Sequence, residues 1–241
     1  LGAVPEASVH LVVTSPPYNA GISYDKHDDA LPHEEWVALL SDVIAKAWLT
    51  LIPGGRFALN VQHGVGRSPT MLPTGAIAES LLLAQPGALY RGAIVWRQSY
   101  SGAGYTSWGS WQSPSNPVLR GEYEMIYVAS KDHLDRRDRR GHGDISSRDF
   151  TFATRDVWDI APKGRTDHPA PFPEELVRKL IQLYTWPGDH VLDPFAGSGT
   201  TGVVAQGLGR DWTMIEMSPA YCALIQRRTA LFGNGVPIEE V

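Results

Sequence analysis

Asp193-Pro194-Phe195-Ala196-Gly197-Ser198-Gly199-Thr200-Thr201-Gly202 closes the short apolar run His190-Val191-Leu192 and opens a segment of small and hydroxylated residues. The run suits a buried parallel strand, and the small-residue segment suits the first turn of a helix. Glycines allow a tight turn and a close approach of backbone to ligand, while the unbonded N–H groups of a helix start favour polar or anionic groups. Strand, glycine loop and helix in that order predict a cofactor cradle. A second strand, Trp212-Thr213-Met214-Ile215, ends in Glu216, about twenty residues on, where doubly wound folds place a carboxylate on ribose hydroxyls.

Gly197-Ser198-Gly199-Thr200-Thr201-Gly202 also satisfies the GxGxxG dinucleotide pattern, but fewer than 40 residues follow Gly202. A dinucleotide fold that began at this strand would need several more βα units downstream, so the remaining strands are expected upstream. A phosphate-binding P-loop matches poorly, because no Lys follows the glycines.

A chain of 241 residues holds one full α/β core with an inserted segment and is short for two domains. Hydrophobic content of 43% and charged content of 20% are ordinary globular values, with no apolar run of membrane-spanning length. No signal-peptide pattern opens the chain, and the single cysteine, Cys222, excludes an intrachain disulfide framework or a cysteine-rich metal site. A cytoplasmic location is the expectation. The net charge of -5 argues against a generally basic nucleic-acid coat, so any DNA binding would use a local patch.

Leu1 to Ser8 read as the tail of a helix or loop with no Met before them, which leaves an upstream element expected. Val9 to Thr14 (VHLVVT) has the β-branched, apolar character of a central parallel strand. It stops at Ser15-Pro16-Pro17-Tyr18-Asn19. The two prolines fix φ and supply no N–H donors, so the chain is held extended with its carbonyls open at the strand's C-terminal edge. Open α/β sheets put their chemistry at that edge.

Ala20 to Leu31 reads as a polar loop that could act as a lid. From Pro32, apolar residues recur at Trp36, Leu39, Leu40, Val43, Ile44, Ala47, Trp48 and Leu51, a helical stripe ended by Pro53-Gly54-Gly55. Tryptophans on that stripe belong to a core, not to a base-stacking surface. Arg56 to Val61, Tyr90 to Trp96 and Glu122 to Ser130 predict strands, and Leu72 to Gln85 and Glu174 to Tyr184 predict helices. Between Arg97 and Gly121 the pattern breaks into Ser, Gly, Trp, Tyr and Pro, a length of loop that is usually functional or disordered. Lys131 to Arg140 carries five basic residues against three aspartates. Such a run is commonly a solvated face, yet it lies where an inserted recognition segment would be expected.

Thr14-Ser15-Pro16-Pro17-Tyr18-Asn19 together with Asp193 to Thr201 resembles the DNA amino-methyltransferases. Catalytic motif first and cofactor motif last is similar to the order of the permuted group designated β, and the likeness covers nearly the whole chain. The resemblance implies a Rossmann-like α/β methyltransferase fold, a mostly parallel central sheet with helices on both faces and a small inserted target-recognition segment. On that basis 1–130 is the catalytic half of one domain, 131–165 the inserted segment and 166–241 the cofactor-binding half. The implied donor is S-adenosyl-L-methionine and the acceptor an exocyclic base nitrogen. Asp193, Phe195, Gly197, Ser198, Gly199, Thr200 and Thr201 match the family's methionine-side loop, Glu216 its ribose carboxylate, and Pro171 with Phe172 an additional cofactor wall.

The residue types suit that chemistry. An exocyclic amine of cytosine or adenine is a poor nucleophile because its lone pair is delocalised into the ring. The Ser15 hydroxyl and the Pro16 carbonyl can accept hydrogen bonds from the NH₂ group and favour a pyramidal nitrogen. Pro17 holds the turn and Tyr18 offers a face for the base. The target must be flipped out of the duplex, at a cost of about a few kcal/mol. No metal and no covalent step are required. Cytosine C5 methylation would need a nucleophilic cysteine, and Cys222 falls in a C-terminal helix, expected to be packed.

Family members with Ser at the first catalytic position are mostly cytosine-N4 enzymes and those with Asp mostly adenine-N6 enzymes, which favours cytosine N4 here. Adenine N6 is the alternative, and a catalytically inactive DNA-binding module is the alternative of another class. Double-stranded DNA is the expected partner. A homodimer and a cognate restriction endonuclease are further candidates. Arg136, Arg137, Arg139 and Arg140 are expected on phosphates, with Asn19 and the Trp108 loop near the target base.

Overall fold

Strand β1 (Val9–Thr14) is buried along nearly its whole length, because its side chains enter two separate apolar layers, alternating from Leu11 onward after a register shift between Val9 and Leu11. Leu11 and Val13 face one core cluster, while Val9 and Val12 face the other. The structure is a computed structural model that describes residues 1–18, 31–66, 71–98, 109–119, 121–162 and 172–230.

Elements follow in the order α1 (His33–Thr50), β2 (Leu51–Gln62), α2 (Thr74–Leu83), β3 (Ala88–Arg97), β4 (Tyr123–Lys131), α3 (Ser147–Ala153) and β5 (Val157–Asp159). Then come α4 (Glu174–Tyr184), β6 (His190–Asp193), α5 (Thr200–Gly207), β7 (Asp211–Met214) and α6 (Pro219–Ala230). The seven strands form one sheet in the order β5-β3-β4-β2-β1-β6-β7. β4 pairs antiparallel with both β2 and β3, and every other pairing is parallel. Helices α1 and α2 cover one face through Trp36, Leu40, Ile44, Trp48, Ala78 and Leu82. Helices α4, α5 and α6 cover the other through Leu176, Leu180, Val204 and Ile225. This is the expected mostly parallel α/β sheet with helices on both faces. Trp36 and Trp48 are core residues, each contributing about 1.5–3 kcal/mol by its burial.

Two local expectations are corrected. Pro53-Gly54-Gly55 does not follow α1 as a terminator, since β2 begins at Leu51 directly after the helix and runs through these residues. The ladder to β1 jumps there, with Val9 opposite Leu51 but Leu11 opposite Arg56, so the proline sits in a bulge where no ladder N–H is needed. Gly54 has φ +79°, and a Cβ on it would lie 2.5 Å from the Asp135 carbonyl oxygen.

The second correction concerns the segment after β4. Its later part is built into the sheet, because β5 pairs with β3 from Val95 to Arg97 and α3 packs on α4. Ser146 caps α3 by accepting the Asp149 N–H at 3.0 Å. Elements of seven and three residues carry too little periodicity to be seen in advance. Among the described residues no helix is long and apolar enough to cross a membrane.

Candidate active site

β1 and β6 lie side by side and parallel, so the turn after Thr14 and the loop after Asp193 leave the sheet at the same edge. The two are joined directly. Thr14 Oγ1 donates to Asp193 Oδ1 at 2.9 Å. Asp193 is buried and also accepts from Phe195 N–H at 3.1 Å and Thr201 Oγ1 at 2.6 Å, so one carboxylate shapes the loop and fixes the helix after it. Burial pushes the Asp193 carboxyl up to about 6, against the hydrogen bonds from Thr201, Phe195 and Thr14 that lower it; the nearby Glu216 charge adds slightly to the rise.

The loop is positively twisted at Gly197 and Gly199, with φ of 52° and 77°. A Cβ on Gly199 would lie 2.7 Å from Ile225 Cγ1, so glycine is required there by both conformation and packing. Gly199 caps α5 without a side-chain hydrogen bond, which leaves the first-turn amides available to a ligand. Arg228 from α6 donates to the Ser198 carbonyl at 2.5 Å and lies 3.5 Å from Thr200 Oγ1, holding the loop from behind. At the end of β7, Glu216 Oε2 accepts Gly197 N–H at 2.8 Å and Oε1 accepts Ser218 N–H at 2.9 Å. Phe172 meets Trp96 edge to face at 6.5 Å on the border of the core.

Across the edge, Ser15-Pro16-Pro17-Tyr18 is anchored by α1, whose Trp36 indole N–H donates to the Pro17 carbonyl at 2.8 Å. The Ser15 and Tyr18 hydroxyl oxygens are 2.6 Å apart, and Tyr18 Oη donates to Glu124 Oε2 at 2.8 Å. Asn60 Nδ2 reaches Glu124 Oε2 and Tyr18 Oη at 2.6 Å each, and Ser15 Oγ at 3.3 Å. Gln98 Nε2 donates to Glu124 Oε1 at 2.8 Å. Since the Tyr18 proton is directed to the carboxylate, the Ser15 hydroxyl donates to Tyr18 and keeps acceptor capacity. Burial raises the Glu124 carboxyl above its usual range, and the hydrogen bonds from Asn60, Tyr18 and Gln98 oppose that rise.

Asn60 and Glu124 were not singled out from sequence. Each is a polar residue near the catalytic-edge end of a strand that is otherwise largely apolar, in RFALNV and EYEMIYVAS, and that interruption was the available signal. The turn Ser15-Pro16-Pro17-Tyr18 thus leaves β1 directly after Thr14, which bonds Asp193, while Phe195, Gly197, Ser198, Gly199, Thr200 and Thr201 lie on the loop and first turn after Asp193, with Glu216 joined to them through Gly197 N–H. Asn19, Trp108 and Pro171 lie outside the described residues.

The basic cluster is elsewhere. β4 runs against its neighbours, with Glu124 opposite Gln62 and Ser130 opposite Arg56, so its last residue emerges at the edge from which the parallel strands start. Arg136 is 7% exposed. It pairs with Asp189 at 2.9 Å and Asp138 at 2.6 Å and stacks 5.0 Å from the Trp186 ring centre. It is a structural ion pair at the far edge, not a surface cation for phosphate. Arg139 donates to the Pro187 carbonyl at 2.9 Å, Arg137 lies 3.5 Å from Asp135, and Arg140 is exposed. The antiparallel strand was expected from sequence only as a strand, and its direction is what moves the cluster away from the site.

A family profile described as DNA methylase, of the N6/N4 type, matches residues 9–227. The type II methyltransferase M.MjaVI of Methanocaldococcus jannaschii is 32% identical over 167 residues, which cover 68% of this chain and 82% of that protein. The DNA adenine methyltransferase YhdJ of Escherichia coli is 27% identical over 245 residues, covering 95% and 78%. The solved structure of TTHA0409 from Thermus thermophilus, complexed with S-adenosyl-L-methionine, superimposes with a TM-score of 0.77 at 30% identity, covering 100% of this chain and 93% of that one. With a glycine loop and a Ser-Pro-Pro-Tyr turn joined at one sheet edge, and a profile match spanning nearly all of its length, this chain belongs to the N6/N4 DNA methylase family.

Proposed function

We propose that this DNA methyltransferase uses S-adenosyl-L-methionine to methylate the exocyclic N4 of a flipped cytosine, and that it belongs to the permuted β group. The observation that carries the proposal is the Thr14–Asp193 hydrogen bond, which sets the amine-gripping turn against the glycine loop. The loop fits the cofactor by the chemistry of its donors and acceptors. The α5 amides and Thr200 suit its polar amino-acid end, Glu216 at the tip of β7 suits a ribose diol, and Phe172 suits an apolar wall. Pro171 extends that wall in the proposal. When bound, the cofactor supplies an electrophilic methyl group on sulfonium.

Ser15 Oγ and the Pro16 carbonyl accept from the cytosine N4 amine and turn its lone pair out of the ring plane, while the Tyr18 ring supports the base. Trp36 keeps the Pro17 carbonyl engaged and so fixes the turn. A serine hydroxyl can accept from either amine, and the cytosine reading is supported by Ser standing at the first catalytic position, as in most cytosine-N4 members of the family. The likeness to YhdJ favours adenine N6 as a second reading.

DNA contact is assigned to the β3–β4 connection. β3 ends at Arg97 and β4 begins at Tyr123, both at the catalytic edge. Its described part is closed by a bridge between Gly109 and Pro117 and presents Trp111, 63% exposed. Trp108 and Asn19 are proposed to approach the target base from neighbouring segments. Mass spectrometry of nucleosides from unmethylated DNA, treated with the protein and deuteriomethyl cofactor, tests the function. Labelled 4-methylcytosine supports it, and labelled 6-methyladenine selects the second reading. Absence of cofactor binding by isothermal titration would point instead to an inactive DNA-binding module.

A further inference from the structure

The hydroxyl of Ser15, the hydroxyl of Tyr18 and the carboxylate of Glu124 form a continuous line of short hydrogen bonds, at 2.6 and 2.8 Å, from the catalytic turn into the buried sheet. Nothing in amine gripping alone requires a half-buried carboxylate at the end of that line. We infer that Glu124 is the proton sink of the reaction, taking up through Tyr18 and Ser15 the proton that the target amine must lose on methylation. The inference rests on the amino-methyltransferase reading.

The step balances. One N–H bond of the methylated amine breaks as its proton passes to Ser15 Oγ, the Ser15 proton passes to Tyr18 Oη, and the Tyr18 proton forms an O–H bond on Glu124 Oε2. Both hydroxyls end as they began, the amine becomes neutral and Glu124 becomes a neutral acid. The proton returns by the same line once the product has left.

Three observations fit this role. Among the described residues Glu124 is held by the neutral donors Tyr18 after β1, Asn60 on β2 and Gln98 after β3, and none with a charged side chain contributes to its shift. Beside it, Tyr123 on β4 and His63 directly after β2 stack on each other with ring centres 4.5 Å apart. Burial, with no cation among its described partners, leaves the carboxyl readier than an ordinary glutamate to hold a proton. The cluster is also rich in acceptors. Asn60 turns its NH₂ toward Glu124, Tyr18 and Ser15 and leaves its own buried Oδ1 without a hydrogen-bond partner among the described residues. An arriving proton relieves that excess. Glu124 touches no substrate and acts through Tyr18 and Ser15.

The test is single-turnover methyl transfer to duplex DNA as a function of pH, for the wild type, Glu124→Gln and Tyr18→Phe, with cofactor affinity measured by calorimetry. The wild-type rate should fall on the acid side, where Glu124 is already protonated. Glu124→Gln should lose about 100-fold and lack that acid limb, and Tyr18→Phe, which keeps the ring but breaks the line, should lose as much. Cofactor affinity should stay unchanged in both. Infrared titration of the unliganded protein should show a carboxylic C=O band that appears above the usual glutamate range and is missing in Glu124→Gln. Either variant retaining the wild-type rate and acid limb, or no such band, overturns the inference. If Glu124→Gln does not fold, Tyr18→Phe and the wild-type band decide it. A wild-type protein that binds cofactor and DNA yet transfers no methyl group would overturn the function and not the relay.

Discussion

Thr14 Oγ1 and Asp193 Oδ1 stand 2.9 Å apart although 179 positions separate them in the chain. Each closes a parallel strand, so this hydrogen bond ties the Ser15 turn to the glycine loop. Thr14→Val would leave the buried Asp193 carboxylate one donor short, at a cost of about 1–3 kcal/mol in urea unfolding, and should weaken cofactor binding without altering the Ser15 turn.

Asp193 gives a signed pH dependence. Its folded carboxyl is raised from an ordinary value of 3.8 to about 6, with burial as the main cause. Stability linked to a raised carboxyl is complete below the unfolded value and is lost as pH rises through the folded one. Asp193→Asn, neutral throughout, should therefore gain on the wild type between about pH 4 and 6, by roughly 3 kcal/mol at most. Urea midpoints measured across that window would show it. Parallel profiles for the two proteins would count against a raised Asp193.

Trp36 serves the core and the site at once. Trp36→Phe keeps the apolar contact but removes the indole N–H from the Pro17 carbonyl. Turnover is expected to fall about tenfold through loss of turn alignment, with cofactor affinity retained. Steady-state kinetics beside calorimetry would separate the two effects.

Arg136 joins the loop after β4 to Asp189 at the foot of β6. Removing one partner of such a buried pair leaves the other charge stranded, so Arg136→Met should cost about 3–5 kcal/mol in thermal or urea unfolding. Reversing Arg137 and Arg140 together should leave the salt dependence of DNA binding unchanged, since both lie on the loop at the far edge. A shallower slope in that double variant would return the cluster to the DNA interface.

Cys222 is 3% exposed, with its Sγ 3.5 Å from the Glu216 carbonyl oxygen. Cys222→Ala should keep its transfer rate and lose no more than about 2 kcal/mol of stability. Loss of activity in a folded variant would reopen a cysteine-based mechanism.

Much of this was legible in the sequence, for reasons that differ by element. VHLVVT and HVLD read as strands because they are buried on both faces, and the stripe through Trp36, Ile44 and Trp48 repeats at helical spacing. The Ser15 turn and the Gly197 loop were visible because proline and glycine impose backbone geometry locally. The partners of the site were not. Glu124 and Asn60 matter only through pairing across β2 and β4, and the register between strands is a long-range property. The burial of Arg136 was hidden for the same reason, since composition records charge but not the direction in which β4 delivers it.

The most direct test of the central claim is a crystal structure with S-adenosyl-L-homocysteine and a duplex carrying the target site. The cofactor sulfur is expected against the Gly197 loop beside Glu216, and the flipped cytosine N4 within hydrogen-bond reach of both Ser15 Oγ and the Pro16 carbonyl. A sulfur lodged away from that loop, or an amine well out of reach of Ser15, would contradict it.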